Sequence, residues 1–276
     1  MKLTIISALL MVTSMLSAQI RTETLLSPDG NMKMTFSLSE DGTPNYSLSY
    51  SDREVIKPSC LGYTLRGDAS PKDPMTYMRV SYDNVDMGSG FAFVEAVKSE
   101  FDETWEPVWG EESHIRNHYN ELAVTLLKKD FKGKAGKDVV MVLRFRLYDD
   151  GLGFRYEFPT QDNLKYFTVM DELTQFRMTG DHTAWWIAGD YDTQEYNYAQ
   201  TRLSEIRETL PEMIFNNASQ HVVGPTAVQT SLQMKTDDGL YVNIHEAALV
   251  NYPVMTLILN EGDLSFKADL TPDATG

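Results

Sequence analysis

VVMVLRFRLYDDGLGFRYEF, residues 139–158, decides the fold. Val139, Met141, Leu143, Phe145 and Leu147 fall on one face of an extended chain, because successive side chains of a strand point to opposite sides. Val140 and Val142 make the other face apolar at one end, before Arg144 and Arg146 take it over, so the segment reads as a strand lying centrally between layers. Asp149-Asp150-Gly151 supplies turn chemistry, and Phe154, Tyr156 and Phe158 resume the alternation on the returning strand. Arg144, Arg146 and Arg155 are read as partners of carboxylates on neighbouring strands rather than as ligand contacts.

The same period recurs on both sides of this hairpin. Met32, Met34, Phe36 and Leu38 oppose Lys33, Thr35 and Ser37, and Leu240, Val242 and Ile244 share a face. Asp29-Gly30, Asp41-Gly42 and Asp238-Gly239, like Asp150-Gly151, stand between strand-like runs, where tight turns need residues that tolerate positive φ. Helix is sparse: Ser204–Leu210 has room for one or two turns before Pro211. No repeat or Pro/Ser/Gly linker divides the chain, so residues 22–271 form one all-β antiparallel sandwich domain, larger than a seven-stranded one.

Lys2, the apolar run Leu3–Leu16 and Ser17-Ala18 read as a secretory signal peptide over residues 1–18, which implies a secreted or periplasmic protein. The run is short for a membrane anchor. Cys60 is the single cysteine, so an internal disulfide is excluded, and its plainest role is that of a small buried hydrophobe. With 24 basic against 40 acidic residues, a formal charge of −16, the composition argues against a nucleic-acid partner. The densest basic stretch, Lys128–Lys137, reads as a solvated hairpin tip.

WWIAGDYDTQEYNY, Trp185–Tyr198, sets two tryptophans and three tyrosines beside Asp190, Asp192 and Glu195. It is too polar for a core strand and reads as a functional loop: sugar C–H faces pack on aromatic rings, while carboxylates accept hydroxyl hydrogen bonds or hold a hard cation. The alternative is that these rings fill a core. The spacing is not that of an EF-hand, and Asp190 and Asp192 are read as turn-formers. EPVWGE, Glu106–Glu111, carries glutamates too close together on one solvated segment to serve as a catalytic pair. His114, His118, His182, His221 and His245 show no zinc spacing, and no nucleophile elbow or nucleotide-binding loop occurs. Asn45 and Asn217 head N-x-S triplets, which matter only in a eukaryotic secretory pathway.

The segment at Trp185, with EPVWGE, IRNHYNEL at Ile115–Leu122 and RFRLYDDGLGFRYEF at Arg144–Phe158, resembles the N-terminal domain of glycoside hydrolase family 97. The resemblance implies a β-super-sandwich preceding a (β/α)8 barrel in exo-acting, calcium-dependent α-glucosidases and α-galactosidases. It further implies that Glu195 reaches from the sandwich toward the barrel's active site as a calcium ligand; the plainer alternative is an ion pair with a residue such as Arg202. Residues 272–276 are then the start of a linker. The barrel, which carries the acid and base, is expected to be absent, so no catalytic residue is assigned and an α-linked oligosaccharide is a partner of the full-length enzyme only. The competing reading is a free-standing carbohydrate-binding or scaffold sandwich. A large exposed apolar patch rimmed by the Trp185 segment favours the missing barrel, and a compact polar surface with one small cleft favours the module.

Overall fold

A computed structural model describes residues 20–67, 84–131, 137–216 and 218–273. The signal-peptide segment, Asn217, and Lys132 and Lys134 of the basic stretch lie outside the described residues. The described residues form four antiparallel sheets. The largest has eight strands, in the order β1 (Arg21–Leu26), β2 (Met32–Leu38), β3 (Pro44–Tyr50), β4 (Arg53–Cys60), β12 (Gln175–Met178), β19 (Ser265–Leu270), β18 (Met255–Asn260) and β15 (Ala227–Gln229). Facing it is a four-stranded sheet ordered β10 (Leu152–Glu157), β9 (Val139–Leu147), β8 (Ile115–Lys128) and β7 (Phe91–Trp105).

The alternation read from the sequence is what joins these two sheets. Met32, Met34, Phe36 and Leu38 are all buried, as are Val139, Met141, Leu143, Phe145 and Leu147. Phe36 meets Phe145 across the layers with ring centroids 6.3 Å apart, and Phe154 bridges Tyr46 at 5.2 Å and Phe176 at 6.3 Å. Each such side chain contributes about 1.5–3 kcal/mol on leaving water, so this double row is the main source of stability. β9 lies inside its sheet, between β8 and β10, but its second face, from Val140 to Arg146, is only half-buried, so the strand is central in the sheet and not enclosed between layers as its apolar pattern suggests. The two arginines on its outer face pair with carboxylates, Arg144 with Glu121 and Glu157 and Arg146 with Glu121, and Arg155 on neighbouring β10 pairs with Glu157.

β7 and β8 run on past the sandwich as a long two-stranded arm. Its tip holds EPVWGE, where Val108 and Trp109 are exposed and Glu106 sits 3.3 Å from His114. The glutamates there are solvated, in keeping with surface acidity. A three-stranded sheet, β11 (Phe167–Glu172), β5 (Tyr63–Gly67) and β6 (Val85–Met87), and a four-stranded one, β14 (Ala199–Arg202), β13 (Thr183–Trp186), β16 (Leu232–Lys235) and β17 (Tyr241–Ile244), complete the domain.

Local expectations needed three corrections. Gly30, Gly42 and Gly239 take the positive φ expected of Asp-Gly turns, at 78°, 76° and 89°. Gly151 does not; its turn is closed by the Tyr148 N–H donating to the Gly151 carbonyl at 2.8 Å. Pro211 does not end the helix but sits inside it, in α1 (Ile206–Met213), which comes after a 3-10 turn at Leu203–Glu205. Buried Leu203, Ile206 and Leu210 anchor this element while Pro211 faces solvent, so packing overrides the lost backbone bond. Cys60 is half-buried rather than buried, with Sγ 3.3 Å from the side-chain oxygen of Asn45.

Candidate functional site

The Trp185–Tyr198 segment divides in two, and only its second part is a loop. Trp185 and Trp186 belong to β13, paired with β14 and β16. Trp186 is completely buried and its indole N–H donates to Thr201 Oγ1 at 2.9 Å, while Trp185 stacks on Tyr241. Two adjacent tryptophans suit a strand with one buried and one half-covered face, and their packing outweighs the polarity of Asp190–Tyr198.

Past Trp186 the chain crosses to the edge of the eight-stranded sheet. Gly189 donates to Ala227 O at 2.7 Å, and Gln229 N–H donates to Ile187 O at 3.2 Å. The approach at Gly189 is so close that a Cβ there would stand 2.7 Å from both Ala227 Cβ and Thr256 Cγ2. The next residue, Asp190, is buried, and its carboxylate gathers four donors: the backbone N–H groups of Asp192 at 2.8 Å, Thr193 at 3.2 Å and His221 at 2.9 Å, and the Tyr196 hydroxyl at 2.9 Å. Burial pushes this carboxyl up, but the bonds led by His221 and Asp192 outweigh it and hold the pKa below the usual carboxylate range.

Asp190 is therefore the turn-former expected of it, and Asp192 accepts from Ser219 at 2.8 Å. Tyr191 is tied outward to Asp269 at 2.6 Å; burial, with that bond, pushes its phenol up to about 12. The Gln229 side-chain amide donates to Ala188 O at 2.9 Å and to Thr193 O at 2.8 Å.

Glu195 stands on this base. Its backbone N–H donates to Thr193 Oγ1 at 3.2 Å, and its side chain is exposed, with no hydrogen-bond or ion-pair partner among the described residues. Arg202, the alternative partner, is engaged elsewhere, bonding Asp237 and the carbonyl of Asp181. Among the described residues no three His, Cys, Asp or Glu side chains gather with metal-binding geometry. An exposed carboxylate offers a hard cation a single oxygen donor, and no complete cation site forms among the described residues.

The turn borders a groove of about 890 Å³, lined also by Met170, Gln229, Tyr252, Val254 and Pro272. Met170, Tyr252 and Val254 are 42%, 36% and 39% exposed, and Leu249 and Val250, earlier in the same loop as Tyr252, are 44% and 74% exposed. Tyr252 is held from beneath by buried Glu172, to which it donates at 2.6 Å, and by Tyr63 at 3.0 Å. Burial raises the pKa of Glu172 despite the bonds from Thr174 and Tyr252. Of the histidines, His118 faces Glu100, His245 turns to the Glu246 carbonyl, and His182 is buried against Thr179. Gln229, Glu172 and Asp269 had no signal in the sequence, being single polar residues in or beside ordinary strands.

Residues 25–272 match the family model described as Glycosyl-hydrolase 97 N-terminal. The chain belongs to that family. It is 28% identical over 272 residues to a retaining alpha-galactosidase of Bacteroides thetaiotaomicron, a match covering 95% of this chain and 34% of that protein. Glycoside hydrolase family 97 enzymes of Pseudoalteromonas sp. strain K8 superpose with TM-scores of 0.70 at 31% identity, in complex with panose, and 0.70 at 30% identity, in complex with acarbose. Each of these matches covers 92% of this chain and 32% of the other. The chain therefore spans about a third of the length of its glycoside hydrolase family 97 relatives and corresponds to their N-terminal domain.

Proposed function

We propose that this domain serves a calcium-dependent, exo-acting α-glycosidase of the α-glucosidase or α-galactosidase type, contributing Glu195 as a calcium ligand and the groove beside it as part of the substrate pocket. The observation that carries the reading is a carboxylate that is exposed and unpaired among the described residues, on a turn whose backbone is bonded at Asp192, Thr193 and Glu195. An idle glutamate needs no such base, whereas a ligand for a shared cation does, since calcium needs oxygens held in place from several elements. The exposed apolar rim of Met170, Tyr252 and Val254 supports a face covered by a catalytic barrel in the full-length enzyme. That face argues against the free-standing module, as does Trp186, whose ring is buried and offers no sugar platform. Calcium would fix sugar hydroxyls and stabilise developing charge at the scissile bond; the part of this chain is to hold one of its oxygens in place. Export to the periplasm or medium accords with the reading of residues 1–18.

In the full-length enzyme, Glu195→Gln keeps the shape but loses the charge that attracts a hard cation. Calcium affinity and activity should fall together, and excess calcium should restore part of the activity. Unaltered calcium dependence would overturn the assignment.

A further inference from the structure

We infer that Asp190 and Gln229 are positioning residues that together hold the Glu195 carboxylate at its cation, an inference that rests on the reading of Glu195 as a calcium ligand. They grip opposite sides of one turn. Asp190 takes the N–H groups of Asp192 and Thr193, while Gln229 takes the carbonyl of Thr193, and the Thr193 hydroxyl receives the N–H of Glu195. The backbone from residue 190 to residue 195 is thereby fixed through both its donors and its acceptors. Asp190 is fixed in turn by the Tyr196 hydroxyl, which accepts from Gln220 at 3.1 Å, and by the N–H of His221.

Gln229 carries the sharper evidence. Its amino group faces two carbonyls, Ala188 and Thr193, so the orientation of the amide is determined and its oxygen must point the other way. That oxygen is buried and has no partner among the described residues. A buried acceptor without a donor is costly, and a leucine or methionine would fill the space without that cost. Neither would join the strand crossing at Ala188 to the turn at Thr193. Such local violations are found where geometry matters more than stability, and Gln229 also lines the groove.

The test is calcium titration calorimetry on the full-length protein with Asp190→Asn, Gln229→Leu and Tyr196→Phe, each made alone and in a Glu195→Gln background. Tyr196→Phe keeps its buried ring and loses one O–H, so it serves where the other two changes fail to fold. Each substitution should raise the calcium dissociation constant on the order of tenfold, as expected for groups that orient a ligand. The effect should vanish once Glu195 is an amide, because coupled residues are not additive. Phe145→Leu, in the sandwich core, should lower Tm without moving the calcium constant. If Glu195→Gln weakens calcium binding while the three variants leave it unchanged, or shift it equally in both backgrounds, the positioning role is refuted and the ligand reading stands. If Glu195→Gln itself has no effect, both fall.

Discussion

Glu121→Gln is the most informative single change for the sandwich. Glu121 lies on β8 with its carboxylate between two arginines of β9: it pairs with Arg144 through one oxygen and accepts from Arg146 Nε at 2.8 Å through the other. Breaking a fully buried pair costs about 3–5 kcal/mol, and an exposed one about 0–1. This site falls between. Arg144 keeps its bidentate pairing with Glu157, at 2.7 and 3.0 Å, so it is not orphaned. The Arg146 side chain is 39% exposed and also rests over the Tyr119 ring at 4.5 Å. The discounted loss is about 2–3 kcal/mol. With a urea slope of about 3 kcal/mol per M for a domain of this size, the midpoint should fall by about 0.7–1 M. The pH arm fixes the sign. Burial pushes the Glu121 carboxyl up, but the bonds from Arg146 and Arg144 bring it below its ordinary value near 4.5. Its stabilisation is therefore present above that value and lost as pH falls through the folded-state value, so the gap between wild type and variant should close in acid. Glu103→Gln, exposed on the β7 arm, should stay within about 0.5 kcal/mol of wild type. A Glu121 variant as stable as the Glu103 variant, or a gap constant with pH, would refute the reasoning.

Glu172→Gln should behave in the opposite sense: burial raises the folded-state pKa of Glu172 above its ordinary 4.5, so its contribution is full below that value and declines as pH rises through the raised one. Chemical denaturation of wild type and variant, followed upward in pH from the ordinary carboxylate range, should show the variant gaining relative to wild type with rising pH, and a shift in favour of wild type would contradict this. Gly189→Ala forces a methyl against Ala227 and Thr256. It should cost about 1–3 kcal/mol by overpacking and speed amide exchange at Asp192 and Thr193; wild-type exchange there would contradict the tight crossing.

The sandwich was legible because its cause is periodic. The rows Met32–Leu38 and Val139–Leu147 specify their own faces, and the Asp-Gly pairs mark where the chain reverses, whichever turn geometry each one adopts. Of the candidate site, the Asp190 turn was legible, since it lies in one contiguous and unusual segment, and Glu195 stands exposed on that turn. What fixes that turn arrives from Gln229 on β15, Gln220 and His221 after the helix, and Asp269 on β19, brought together by pairing between distant strands. No local pattern announces such contacts. Trp185 and Trp186 misled for the opposite reason: composition averaged over the whole segment hid a four-residue strand at its start.

The order of the eight-stranded sheet also decides where this domain can be cut. β4 meets β12 through Lys57 opposite Arg177, and β12 meets β19 through Gln175 opposite Lys267, so the middle of the sheet is assembled from widely separated parts of the chain. During synthesis β1–β4 must wait with an open edge for strands made much later, which predisposes the nascent chain to slow closure and to mispairing at that edge. A truncation before Ser265 removes β19, and with it the join between β12 and β18. It would not trim a margin; it would leave a five-stranded piece holding the core row and a two-stranded piece, β18 and β15, beside the crossing that leads to Glu195.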